Sequence, residues 1–276
     1  MRSNLNKLPE LAQRVIAGVV GAGIILTSIL WNEWSYFTVF FLISMFSMLE
    51  FYKLLGLYGN LPLRSYGTLN GLMMFTLTFL IEKGILPSRF YILLLLGLSF
   101  VYVIILYRGA EEKPFASIAF TFLGIIYVGA PFALLNVSVF VAGTYHYEII
   151  MGLLFMLWAS DTGAYFTGKS IGKSPLFPRV SPKKTWEGSL GGAIAAISMA
   201  LAFAYHFDVL QLWQWVSIAI IIVVAGTYGD LVESLFKRSI QIKDSGNSIP
   251  GHGGFLDRFD GLLIASPVIV VFIRLF

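Results

Sequence analysis

Residues 211–260, QLWQWVSIAIIIVVAGTYGDLVESLFKRSIQIKDSGNSIPGHGGFLDRFD, decide how the whole chain is read. The first part, to Ser239, is an apolar run of bilayer-crossing length, since a spanning helix needs about 20 mostly apolar residues. Its last turns change character. Asp230, Glu233, Ser234 and Lys237 recur at spacings of three and four and so share one face of the helix end. Lys243 to Gly254 carries glycines and Pro250 and cannot be regular helix. Asp257 and Asp260 then stand three apart where the next apolar run begins, again on one face. Two carboxylate-bearing helix ends are joined by a basic loop, in a chain of which only 12% is charged.

Carboxylates beside lysine and arginine suit a hard divalent cation together with a polyphosphate: oxygen ligands hold Mg²⁺ and the cationic side chains neutralise phosphate oxygens. The competing reading is that Asp257 caps a helix N-terminus and the rest is a solvated loop at the membrane edge.

Ser234, Lys237-Arg238, Lys243-Asp244, Gly246, Pro250, His252-Gly253-Gly254 and Asp257-Arg258-Phe259-Asp260 together resemble the long signature of the phosphatidate cytidylyltransferases, or CDP-diacylglycerol synthases. No position of that signature departs from the pattern. The resemblance implies reaction of CTP with phosphatidate to give CDP-diacylglycerol and pyrophosphate. It also implies that Ser234, His252, Gly253, Gly254 and Arg258 line the substrate site.

Composition bounds the class independently. Of 276 residues, 57% are hydrophobic and 16% aromatic, against about 45–50% apolar residues in soluble proteins. The reading is an all-α, polytopic integral membrane protein. The absence of cysteine excludes disulfides and thiolate metal sites. No basic patch stands apart from the apolar runs, so nucleic acid is not an expected partner. The expected partners are CTP, phosphatidate and the lipid bilayer.

The apolar runs give nine expected spans, roughly 12–31, 34–55, 66–83, 90–107, 115–137, 149–168, 187–206, 211–239 and 259–275. With a cytoplasmic N-terminus, all of the 19 Lys and Arg except Lys83, Arg89 and Arg274 fall on the cytoplasmic side, as the positive-inside rule requires. The site then faces the cytoplasm. On the same topology His146 and His206 fall outside, which leaves only His252 near the acidic window and argues against a histidine-rich zinc site.

Residues 1–110 carry little chemistry and read as membrane scaffold; 111–276 read as the catalytic region. Glu50 and Lys53 sit at a helix end, where snorkelling to the interface is the expectation. The small residues Ala17-Gly18 and Gly21-Ala22-Gly23 suit close helix packing, and a homodimer contact is expected through part of the scaffold. Gly129-Ala130-Pro131 predicts a kink that opens space.

Asp161 lies inside the apolar run LFMLWASDTGAYFTG, and an acid at the bilayer centre costs about 2.5–3.5 kcal/mol on insertion scales. It and Asp230 both fall roughly 10 Å below the same boundary at about 1.5 Å per residue, so they are expected to line one pocket. Gly163 to Ser170, GAYFTGKS, has P-loop spacing, but that motif needs a loop between strand and helix, and here it ends a span. The loop from Gly168 to Glu187 contains SPKKTWEGSLGG, a second segment shared with the family it resembles, and Lys183 and Lys184 precede a helix N-terminus that attracts anions.

The mechanistic expectation is nucleotidyl transfer. Asp230 and Asp257 are taken as Mg²⁺ ligands, with Asp260 as a ligand or directly behind one. So many carboxylates leave room for a second cation. Lys237, Arg238, Lys243, Lys183 and Lys184 are expected to bind phosphate, and Asp161 to help organise the pocket. Two rivals use similar parts: a CTP-dependent lipid kinase, and a transporter with an intramembrane ion site.

Overall fold

The computed structural model describes residues 10–57, 62–108, 113–242, 245–246, 248 and 253–276, with side chains from residue 15 onward. Every apolar run of the sequence is helical. The elements are α1 (Glu10–Trp31), α2 (Glu33–Leu57), α3 (Arg64–Glu82), α4 (Ile92–Tyr107, entered by a 3₁₀ turn Ser88–Tyr91), α5 (Pro114–Gly124), α6 (Ala130–Val139), α7 (Tyr147–Ile171), α8 (Trp186–His206), α9 (Leu212–Ser239) and α10 (Leu256–Leu275).

Among the described residues, six helical segments are long and apolar enough to cross a membrane by length and composition: Glu33–Leu57, Ser88–Tyr107, Pro114–Val139, Tyr147–Ile171, Trp186–His206 and Leu212–Ser239. Of the nine expected spans, these six meet that measure among the described residues. α3 is diluted by Arg64, Ser65, Asn70, the threonines and Glu82, and α10 carries Asp257, Arg258, Asp260 and Arg274. The described side chains of α1 begin at Val15, and Val15–Trp31 is apolar.

Local chemistry sets the breaks. Asn32 separates α1 from α2 because its Oδ1 accepts the amides of Trp34 (2.8 Å) and Ser35 (2.9 Å), which are otherwise orphan donors of a helix start. The fold is not strictly all-α. Two antiparallel hairpins lie between helices: β1 (Phe140–Val141) with β2 (Thr144–Tyr145), and β3 (Pro175–Phe177) with β4 (Ser181–Thr185). The first turns through Ala142 and Gly143, both at positive φ, as tight hairpins require.

The proline at 131 does not open space. A π-turn, Ile125–Gly129, precedes it and the helix resumes at Ala130, so the wide turn absorbs the amide that proline lacks. α3 fills the bend: a Cβ on Gly129 would come 3.0 Å from the Gly71 Cα. The core that surrounds this point is aromatic, with Tyr36, Phe40, Phe51, Tyr52, Phe75, Phe79, Phe132 and Trp215 all buried.

Candidate active site

The crossing of α9 and α10 positions the site. The two helices meet at Gly229 and Gly261, where a Cβ on Gly229 would stand 3.0 Å from the Gly261 Cα. Only glycines permit that approach, and the next residue along one helix and the preceding residue of the other are Asp230 and Asp260. Leu157 of α7 packs against Gly226 and Gly261; Asp161, one turn further along α7, therefore reaches the same region. There it lies in the electrostatic field of Asp230, Asp260, Lys184 and Arg258. Asp161 and Asp230 thus stand within electrostatic reach of one another.

Lysines hold the carboxylates apart. Lys184, on β4, forms an ion pair with Asp230, which also accepts from Ser234 Oγ at 3.2 Å. Lys237 donates to Asp257 Oδ1 at 2.8 Å and stands 3.4 Å from Glu233 Oε1. Glu233 has no exposed surface, and its carboxyl lies against that of Asp260 with Lys237 as the cation beside it. A fully buried acid with so few donors is a weak device for stability and costly in an apolar bundle.

Asp257 is the best-satisfied of them. Besides Lys237, it accepts from the amides of Ser245 (3.0 Å to Oδ2) and Gly254 (2.8 Å), an arrangement that favours the ionised carboxylate. The last of these bonds, from an amide three residues earlier, ties the loop to the helix start. Asp260 accepts from the Gly261 amide at 2.7 Å.

The remaining candidates are distributed as follows. Lys183 is exposed on β4 beside Lys184, and Arg258 is exposed on the first turn of α10. Arg238 turns away from the carboxylates toward the carbonyl of Ile242, at 3.4 Å. Gly253 has φ +82°, a backbone conformation that glycine alone adopts readily. Lys243 and His252 lie outside the described residues. GAYFTGKS is helical throughout, inside α7, so its amides are engaged in the helix and form no phosphate cradle.

The donor chemistry, carboxylate oxygen without sulfur and without a described histidine, fits a hard divalent cation. Among the described residues no three of these side chains converge closely enough to enclose one. Asp230 and Asp257 are each held by a lysine instead.

Three acids escaped the sequence reading of the site. Glu233 shares the helical face of Asp230 and Lys237, so its signal was present. Glu187, at the start of α8, accepts the amides of Lys173 (3.1 Å) and Ser174 (3.2 Å) and fastens the β3–β4 hairpin to the helix that Thr185 caps. Glu50 does not snorkel: it is buried at 8% exposure and bonds the loop before α10. Lys53, one turn on, is exposed.

An apolar bundle with helices of bilayer-crossing length and lysine-paired carboxylates at one end has the make-up of a multi-pass membrane protein. Its particular kind follows from comparison: the profile of the cytidylyltransferase family matches residues 12–276, and the chain belongs to that family. It is 30% identical over 277 residues to the phosphatidate cytidylyltransferase of Bacillus subtilis (strain 168), an alignment covering 97% of this chain and 99% of that protein. Similarity to the phosphatidate cytidylyltransferases of Staphylococcus aureus (strain COL), at 36% identity, and Staphylococcus saprophyticus, at 38%, extends over 176 residues, 63% of this chain and 66% of each of those proteins.

Proposed function

We propose that the chain transfers the cytidylyl group of CTP to phosphatidate, releasing pyrophosphate and forming CDP-diacylglycerol. The observation that carries this reading is the convergence of Lys184, Asp230, Lys237, Asp257 and Asp260 from three separate segments at one end of an apolar bundle. Lys184 lies in SPKKTWEG, and Lys237, Asp257 and Asp260 lie in the Ser234–Asp260 stretch, the two segments that resemble the family's motifs; Asp230 stands four residues before the second.

A phosphatidate phosphate oxygen attacks the α-phosphorus of CTP, and the bond to the pyrophosphate oxygen breaks. The nucleophile is a phosphate monoester with a second pKa of about 6, so it is largely ionised at neutral pH and needs no strong base. The demand falls on bringing two anions together in line. Lys184 and Lys237 meet it by exchanging a carboxylate partner for a phosphate oxygen, with Lys183, Arg238, Lys243, Ser234, His252, Gly253, Gly254 and Arg258 completing the binding surface.

Asp230, Asp257 and Asp260 are the residues proposed to hold Mg²⁺, which when bound supplies charge neutralisation on the triphosphate. Asp257 enters that set only by giving up one of its present donors. Asp161 and Glu233 offer oxygen for a second cation. Residues 111–276 carry this chemistry and 1–110 the scaffold; Gly21 and Gly23, which face open space, leave a small-residue surface of α1 free for a homodimer contact.

The proposed orientation puts the site on the cytoplasmic side. Ser174→Cys and Thr144→Cys place single thiols in exposed hairpins of the otherwise cysteine-free chain. In intact cells an impermeant thiol reagent is expected to label only the Thr144 variant; the reverse would invert the orientation.

The activity itself is tested by incubating purified protein with phosphatidate and radiolabelled CTP. A cytidine-labelled lipid together with pyrophosphate is the expected result. Release of CDP would replace the reading by a lipid kinase, and no turnover would favour a transporter.

A further inference from the structure

The first two turns of α10 carry two of the proposed metal ligands, yet the helix lacks a cap of its own. Its N-cap residue, Phe255, makes no side-chain cap bond, and the first amides of a helix must find acceptors outside it. Asp257 takes the amides of Ser245 and Gly254, which belong to the loop. The amide of Leu256, the first residue of the helix, goes to Glu50 Oε2 at 3.0 Å. Glu50 lies on α2, 206 residues away in sequence.

Several further contacts converge on the same carboxylate. Its other oxygen accepts the hydroxyl of Ser248. Gly254 is buried against it so tightly that a Cβ there would overlap Oε2, and a Cβ at Gly246 would stand 3.0 Å from Oε1. One turn earlier on α2, Phe46 stacks on Phe255 with ring centroids 5.1 Å apart and planes 22° apart. Phe51 packs on Phe236, one residue before Lys237, at 5.4 Å. One face of α2 thus touches the loop, the start of α10 and the end of α9.

We propose that Glu50 is a positioning residue for nucleotidyl transfer: from the scaffold helix α2 it caps α10 and fixes the glycine-rich loop, so that Asp257 and Asp260 are presented at a set depth beside Lys237. It acts through the loop and helix start and touches no substrate. A carboxylate suits the task because it accepts two bonds at once and complements the positive end of the helix dipole. The proposal rests on the assignment of Asp257 and Asp260 to the site, and it moves the boundary of the catalytic unit into the scaffold.

The test uses full-length protein in detergent, as wild type, Glu50→Ala and Glu50→Gln, with hydrogen exchange and steady-state kinetics on the monodisperse fraction. Glutamine keeps an acceptor for the Leu256 amide; alanine leaves that buried donor unsatisfied. In Glu50→Ala the segment 253–258 is expected to exchange at least tenfold faster, with α7 and α8 unchanged. Its kcat is expected to fall about 10–100-fold and its half-saturating Mg²⁺ to rise, while the lipid KM stays put. Glu50→Gln should lose about 2–10-fold, the value of one neutral hydrogen bond. If Glu50→Ala gives no monodisperse protein, Ser248→Ala, at an exposed serine, is expected to show the same pattern at about 2–10-fold.

Unchanged exchange at 253–258 would overturn the tether. Faster exchange with unchanged kcat would make Glu50 purely structural, and equal losses in the Gln and Ala variants would make it a charge acting directly at the site. Absence of cytidylyl transfer by the wild type would instead remove the parent reading, while the exchange arm would still test the tether.

Discussion

Both ends of the bundle join helices with ion pairs, and the pairs are of different kinds. At the end opposite the site, Lys83 bonds Glu33 at 2.7 Å beneath the ring of Trp34, and Arg274 pairs with Glu82. Each cation there has one acid, and both pairs are partly open to their surroundings. At the site end, Lys237 stands between Glu233 and Asp257, Lys184 is shared between Asp230 and the field of Asp161, and Asp260 forms no ion pair of its own among the described residues. The lesson is one of stoichiometry. Matched pairs serve as staples, whereas on the function proposed above a surplus of acid leaves capacity for a cation and for the phosphates that would take over the lysines.

That contrast breaks most sharply at Asp230. Replacement by asparagine removes a charge but keeps its shape and its bond from Ser234. If Asp230 is a direct ligand, Asp230→Asn should lower cytidylyl transfer by more than the about 10–100-fold that outer partners of a metal site cost, at unaltered thermal stability in detergent. Retention of a tenth of wild-type activity would take Asp230 out of the ligand set.

Lys184 gives the next largest effect. If its pairing with Asp230 stands in for phosphate, Lys184→Ala should raise the KM for CTP and lower kcat/KM by about 10–150-fold, the value of a charge-assisted bond of roughly 1.5–3 kcal/mol. A loss in kcat with unchanged KM would return Lys184 to a structural partner of Asp230.

Asp161 sharpens the comparison from within the membrane. It senses Asp230, Asp260, Lys184 and Arg258 without forming an ion pair of its own among the described residues, so it should tune the site without anchoring it. Asp161→Asn is expected to cost about tenfold and to recover partly as Mg²⁺ is raised. A loss as deep as that of Asp230→Asn, unrescued by Mg²⁺, would promote it to a direct ligand.

Much of this was legible before any coordinates. Each apolar run became a helix because a backbone in lipid must satisfy its own hydrogen bonds, and the face shared by Asp230, Ser234 and Lys237 follows from helical spacing alone. The depth argument set Asp161 level with Asp230, which lies within its electrostatic reach. What stayed hidden depended on contacts between distant segments. Glu50 is a lone acid in FLISMFSMLEFYKLL, and nothing in its neighbourhood names Leu256 or Ser248 as partners. Pro131 signalled a kink, but whether a bend opens space depends on what packs into it, here Gly71. The hairpins were missed because strands of two to five residues carry too little alternation to be read.

The far end supplies the smallest effect and the control for all the others. Lys83→Met deletes one charge of a matched, partly exposed pair while keeping a flexible chain beside Trp34 and Phe79. Such pairs contribute about 0.2–1 kcal/mol, so stability should fall by no more than that. Glu33 lies seventeen residues before Glu50 on α2, roughly 25 Å at 1.5 Å per residue, well beyond the about 8 Å over which exposed charges act at physiological salt. Transfer activity of Lys83→Met should therefore stay within about twofold of wild type, a change of roughly 0.4 kcal/mol in barrier. The two ends respond independently on this account. A tenfold loss of activity with intact folding would show instead that α2 carries strain from one end to the other, and would make the Glu33–Lys83 pair part of the device that holds Glu50 against the loop.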